Sequence, residues 1–578
     1  MTFAEGALKI TTTTNSTTVW GTQSIPNTGK WYFEMEATNY TGGGGVWAGL
    51  GYDTHLGDNE IDQGGIRLGT YSGGVYINNT QQSGGYANTG NGVDQTADGD
   101  VYSFAIDMDN ELFYIAKNGT WYNSADPSAG TGGLDISANI TAKGTKLYVP
   151  ALARGGSYNE TYTWNFGQDS TFAGNRTATS NADANNVGEF AYTVPTNFLS
   201  LCAKNLSEGT ISVSTDDRPE DYMTTVLYTG NGTGQSITTS FQPDLVWIKQ
   251  RNGTNTHQLL DVVRGKIGGA ASFARLRTDT SDVQATPGSD SGILSLDSNG
   301  FTLGTDGAYN ANSSTYAAWS WKAGGAPTAT NSAGAGNVPT SGSVLIDGSA
   351  STSALAGTLA ADKISINSKA GFSIVQYGGN ATGGATVAHG LGDTPDIIIL
   401  KNISSAANWR VYVNGVSLSN TLFLNTTGTQ TADADRISAV DSTTFTLSTG
   451  NNAVNGSGSN YIAYCWKSVP GYSKMGTFTG QGDKTYVHTG FKPAFLMVKS
   501  FNTAAHHWAM YDNKRNTYNV MDKYFYANSN GAESDADRVD FVSNGFVGRA
   551  NNYDISQSGV GFVYMAFAED PFKYVEAR

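Results

Sequence analysis

An acidic cluster that could do chemistry is Asp107, Asp109 and Glu111. Acid–base cleavage of a glycan needs two carboxylates across a cleft, one with a raised pKa. These acids fall instead on a strand and the Asp109-Asn110 hairpin turn after it, where Asp and Asn serve the backbone. A calcium loop would add a central Gly and a distal Glu, and Asp107-Met108-Asp109-Asn110-Glu111 has only the alternation. The six histidines are scattered at 55, 257, 389, 488, 506 and 507. His506-His507 precedes Trp508 in an expected strand, where only one of two adjacent side chains faces inward. His389 and His488 stand just before proline-led strands, as turn residues do, and no further zinc ligands accompany them. Gly230-Asn231-Gly232-Thr233-Gly234 lacks the Gly-Lys-Ser/Thr ending of a phosphate loop and leads into β-prone Ser236-Ile237-Thr238-Thr239. It reads as a turn. No catalytic residue, metal site or cofactor is expected.

Binding chemistry is the positive signal. Trp and Tyr rings beside Asn-, Asp- and Gly-rich loops can stack on sugars and hydrogen-bond their hydroxyls. The candidates are Tyr71, Tyr76, Tyr86, Trp121 and Tyr158; the alternative for each is an ordinary strand or core aromatic.

These rings must be carried by β-structure. Aromatics make up 11% of the 578 residues and charged groups only 14%, so real cores can form despite 72 glycines. The length predicts roughly four domains. A net charge of −15 without Lys/Arg clusters argues against nucleic acid as a partner. Cys202 and Cys465 lie in apolar strands and are expected as buried free thiols. Met1-Thr2-Phe3-Ala4-Glu5-Gly6 has neither the charged nor the apolar region of a signal peptide, and no run approaches a membrane helix. A soluble chain folding inside a cell, with no membrane insertion, is expected.

The second half repeats itself. A proline-led apolar strand occurs at Pro243-Asp244-Leu245-Val246-Trp247-Ile248-Lys249, Pro395-Asp396-Ile397-Ile398-Ile399-Leu400-Lys401 and Pro493-Ala494-Phe495-Leu496-Met497-Val498-Lys499. Each is followed by a polar turn into Phe301, Phe445 or Phe546, then by an aromatic closing strand ending in Trp321, Trp466 or Phe567. Such repetition builds an extended binding or scaffolding molecule without new chemistry. The expected organisation is one sandwich over 1–207, a connector over 208–221, repeats over 222–325, 371–470 and 471–578, and an Ala/Ser/Thr/Gly-rich arm or linker over 326–370. Within the arm, Ser343-Val344-Leu345-Ile346 and Lys363-Ile364-Ser365-Ile366 are candidate short strands.

Residues 1–207 resemble the SPRY family. The resemblance is carried by Gly29-Lys30-Trp31-Tyr32-Phe33-Glu34, Gly49-Leu50-Gly51, Asp100-Val101-Tyr102-Ser103-Phe104-Ala105-Ile106-Asp107, Lys117-Asn118-Gly119-Thr120-Trp121 and Trp164-Asn165-Phe166-Gly167-Gln168. It implies a two-sheet, jelly-roll-like binding module without catalysis. The repeats, with phrases such as His488-Thr489-Gly490-Phe491-Lys492-Pro493, resemble a β-domain of structural proteins of tailed, especially marine, bacteriophages. That resemblance implies a virion component, assembled in the host cytoplasm and exposed on the particle. The expected fold is all-β: an SPRY-like sandwich followed by three related antiparallel β-sandwich repeats. Three functions compete: a tail-fibre or appendage protein recognising a host-surface glycan or protein, a capsid or tail decoration or adaptor, and a polysaccharide depolymerase. Expected partners are other virion proteins, the host surface and further copies of the chain, a trimer if it is a fibre. The absence of heptads at the start leaves open whether the sandwich docks on the particle or another protein holds it.

Overall fold

The computed structural model describes residues 2–4, 8–12, 18–21, 25–26, 28–39, 46–52, 65–69, 74–77, 80–83, 96–138, 148–154, 160–202, 205, 217–286, 291–482, 485–542, 544–549, 552 and 554–569. The chain is all-β, as its sequence pattern predicts, with antiparallel pairing dominant. It forms two compact units, 1–207 and 208–575.

The first unit is a two-sheet sandwich. Its nine-stranded sheet is centred on Glu160–Asn165, Lys30–Thr38, Val101–Asp107 and Leu112–Lys117. The six-stranded sheet runs through Tyr148–Arg154, Val46–Tyr52, Ile66–Gly69 and Val75–Ile77. Phe33, Met35, Phe104, Ile106 and Trp164 from one sheet share a core with Ala48, Leu50, Ile66, Leu68 and Val75 from the other. The alternation in Lys30–Glu36 predicts a half-buried strand, yet Glu34 and Glu36 are buried too. The cause is a C-terminal segment lying on that face. Glu34 accepts the backbone N–H groups of Ala191 and Tyr192 at 2.9 Å each, and Phe190 and Phe198 pack with Tyr32 and Tyr114.

The three repeats of the second unit share one topology. Each has an opening strand (Met223–Thr229, Phe372–Gly378, Ser473–Thr479), a proline-led strand (Leu245–Gln250, Ile397–Asn402, Pro493–Ser500), a fourth strand (Gln258–Asp261, Arg410–Val413, Ala509–Asp512) and a closing strand (Thr315–Trp321, Asn460–Trp466, Gly561–Ala568). In every repeat these pair in the order opening, closing, proline-led, fourth. A smaller sheet of three strands, or its counterpart in the third repeat, covers one face. Register matches as well: Leu245 lies opposite Trp321, Ile397 opposite Trp466, and Phe495 opposite Phe567.

One face of each main sheet fills its own sandwich, with Val246, Ile248 and Leu260 in the first repeat, Ile398 and Leu400 in the second, and Leu496 and Val498 in the third. The other face is equally apolar and enters a core common to all three, containing Trp247, Trp319, Trp321, Ile399, Trp409, Trp466, Phe495, Trp508 and Phe567. At its centre the rings of Trp321, Trp466 and Phe567 meet, with centroids 6.3 Å apart for Trp321–Trp466 and 5.9 Å for Trp321–Phe567.

Equivalent side chains then stitch each repeat to the next. The residue preceding each fourth strand bonds a carbonyl of a neighbour: His257 Nε2 lies 3.1 Å from Tyr526 O, Trp409 Nε1 donates to Arg277 O at 3.0 Å, and Trp508 Nε1 donates to Phe423 O at 3.0 Å. The first repeat thus holds the third, the third holds the second, and the second holds the first. A closed ring of equivalent head-to-tail contacts is a pseudo-three-fold rotation.

Residues 326–370, compositionally a linker or arm, are part of the fold. Val344–Ile346 and Ala361–Asn367 extend the second repeat's sheet beyond Phe372–Gly378. Val344, Ile364 and Ile366 supply the reason, since they enter that repeat's core.

Two expectations follow. Trp466→Ala should cost about 3–5 kcal/mol in chemical denaturation, because it empties the centre of the shared core; an unchanged midpoint would place the ring outside it. Burial lowers Lys249, Lys401 and Lys499, also equivalent residues, each to about 8. Between pH 8 and the ordinary lysine value the unfolded chain therefore binds more protons, and stability should rise with pH. A triple Lys→Met variant should show a flatter rise from pH 8 to about pH 9.5 in urea denaturation.

Candidate binding face of the first unit

The alternation that sends Ala48 and Leu50 into the sandwich core turns Trp47 to the opposite side of the six-stranded sheet. Arg67 pairs across from Gly49 and from Tyr76, on the same side. There the Arg67 guanidinium lies 4.0 Å from the centroid of the Trp47 ring and 5.4 Å from that of Tyr76. The two rings meet edge to face at 5.2 Å. Trp47 and Tyr76 are half-buried and Arg67 is buried, which lowers its pKa to about 10 and leaves it a cation at neutral pH. An aromatic pair holding a cation offers a stacking surface for a sugar or an apolar side chain.

Of the loop aromatics, Tyr76 belongs to this face. Trp121 is in the other sheet, half-buried, with its ring edge-on to Tyr114 at 6.4 Å, so the two do not form one site. Tyr71, Tyr86 and Tyr158 lie outside the described residues. Trp47 and Arg67 were not singled out by loop chemistry, because both are on strands; the period-two pattern of Val46–Tyr52 was the available signal.

The acidic cluster is a turn. Asp107 is ion-paired with Lys30 at 2.8 Å and accepts Asn110 N and Nδ2, and Asp109 accepts Gly29 N. Burial opposes the charge of Asp107, but these bonds hold its carboxyl below the ordinary range. In the second unit both adjacent histidines find partners: His507 stacks on Tyr526 at 4.0 Å, and His506 Nδ1 lies 3.8 Å from Asp554. Strand alternation alone missed this, since both precede the strand Ala509–Asp512. Among the described residues no three His, Cys, Asp or Glu side chains are placed to hold a metal, and no helix is long and apolar enough to cross a membrane. Cys465 is buried, which pushes its thiol up to about 12, whereas Cys202 is partly exposed, contrary to the expected burial of both.

Fold and face together define an all-β chain with a sandwich unit and a three-repeat ring. The chain belongs to the family described as a domain of unknown function (DUF7483), whose model matches residues 218–347 and 345–571. Among solved structures, the SPRY domain of human HERC1 is 14% identical and is matched over 90% of its length and 28% of this chain, with a TM-score of 0.21. A human SPRY domain is 12% identical over 82% of its length and 25% of this chain, with a TM-score of 0.17. No curated protein matches the chain.

Trp47→Leu keeps an apolar contact but removes the cation–π partner of Arg67. It should cost about 1–2 kcal/mol in urea denaturation, and an unchanged midpoint would show that the stacking contributes nothing.

Proposed function

We propose that the chain is a bacteriophage virion protein, a tail-fibre or appendage component that binds a host-surface glycan or protein without catalysis. The support is a division of labour between its units. The second unit buries both faces of its main sheets within its own ring, which suits a rigid body. The first keeps an aromatic and cationic group on the outer side of a sheet. The resemblance of the repeats to phage structural domains supplies the virion setting. The pseudo-three-fold of the ring is compatible with attachment to a three-fold fibre.

The interlocking of the ring favours a second reading, a capsid or tail decoration or adaptor protein without a receptor. A depolymerase would need a carboxylate pair across a cleft.

Adhesion of the purified protein to host cells should survive EDTA and weaken at least several-fold in Tyr76→Ala. Steady shortening of host polysaccharide on incubation would replace the binding reading with an enzymatic one. Neither adhesion nor shortening would leave the decoration role.

A further inference from the structure

We propose that the turns leaving the three fourth strands form a three-point docking surface for a protein partner with three-fold symmetry, bearing apolar pockets with acidic rims. Among the described residues five large hydrophobic side chains are exposed: Ile267, Val283, Val338, Leu418 and Tyr518. Ile267, Leu418 and Tyr518 occupy the same turn in the three repeats. These turns follow Asp261, Val413 and Asp512, which are equivalent because they pair with Leu245, Ile397 and Phe495. Isolated exposed hydrophobics need no explanation, but three in equivalent turns do. The residue types have diverged, yet exposure persists at 36%, 42% and 83%.

The ring fixes where these tips stand. Its equivalent contacts relate the repeats by rotation about one axis, and rotation keeps equivalent turns at one height along that axis. The three tips therefore lie at one height, spaced around the axis.

Charge selects the partner. Segments 262–270, 414–420 and 513–521 contain no Asp or Glu, although the chain carries −15 overall. Their exposed ionic groups are Lys266 and Lys514, while Arg264 and Arg515 are buried against Asp261 and Asp512 at 2.6 Å. A second copy meeting tip to tip would bring these lysines towards like charges, whereas acidic rims would complement them. A partner repeated about the same axis engages all three tips at once, so three small contacts act as one multivalent contact.

The test uses the full chain with a photo-crosslinking benzoyl-phenylalanine at 267, 418 or 518 in turn, and at 338 as control, irradiated in the cells or particles that contain it. The expected result is one partner protein joined from all three tips and not from 338, in a complex whose native mass gives three partner copies per chain. No adduct, different partners from different tips, or adducts to another copy of the chain would overturn the proposal. Leu418→Asp with Tyr518→Asp, both at exposed positions, should weaken that complex at least tenfold, and unchanged affinity would also overturn it. Absence of the chain from particles would sink the virion reading while leaving this crosslinking test intact.

Discussion

The second unit depends on one constraint: its main sheets are apolar on both faces. A sandwich repeat with Leu245, Trp247, Trp319 and Trp321 on its outer side could not stand alone in water. Burying that face against one other sheet would settle two copies and strand a third. Three sheets packed around an axis cover all three faces, and the rings of Trp321, Trp466 and Phe567 fill the line where they converge. Triplication and the shared core are therefore one fact seen from sequence and from structure.

Closure of the ring also explains polar groups that would otherwise be costly to bury. Tyr464 donates to Asp261 of the first repeat at 2.8 Å, and Trp319 donates to Asp512 of the third at 3.1 Å. Each of these aspartates also holds an arginine three residues on. At the remaining junction the equivalent pair is Met565 and Val413, both apolar. Donor and acceptor are kept or lost together, as expected if an unmatched buried carboxylate is what each junction must avoid. The Arg251–Glu533 pair, with bonds of 2.9 and 2.7 Å, adds a specific tie between the first and third repeats alone.

Much of this was legible in the chain. Proline-led strands, Phe turns and closing aromatics occur in the same order three times, and this order is also the order of the fold. The shared core was harder to read, because a strand buried on both faces is a continuous apolar run and does not say what covers its second side. Ile397–Asn402 looks the same whether its outer neighbour is solvent-excluding sheet or another chain. In the 326–370 segment the two short strands are legible from Val344-Leu345-Ile346 and the alternation of Ile364 and Ile366, but the Ala, Ser, Thr and Gly around them hide that they join the second repeat's sheet. On the first unit, loop chemistry points to Tyr76 alone of the three neighbours, since Trp47 and Arg67 are strand residues that face away from the core.

The two units manage their outer faces differently, and this bears on how each meets other molecules. In the ring, apolar outer faces are covered from within the chain, so that among the described residues only a few large apolar side chains stay exposed, Leu418 and Tyr518 among them. In the sandwich, the C-terminal segment covers one sheet by satisfying Glu34, and the other sheet carries the Trp47–Arg67–Tyr76 group. A buried guanidinium 4.0 Å from one ring and 5.4 Å from the other, with the two rings themselves in contact, makes that face preorganised rather than adaptable. If that face binds a ligand, shape and ring orientation should count there for more than net charge.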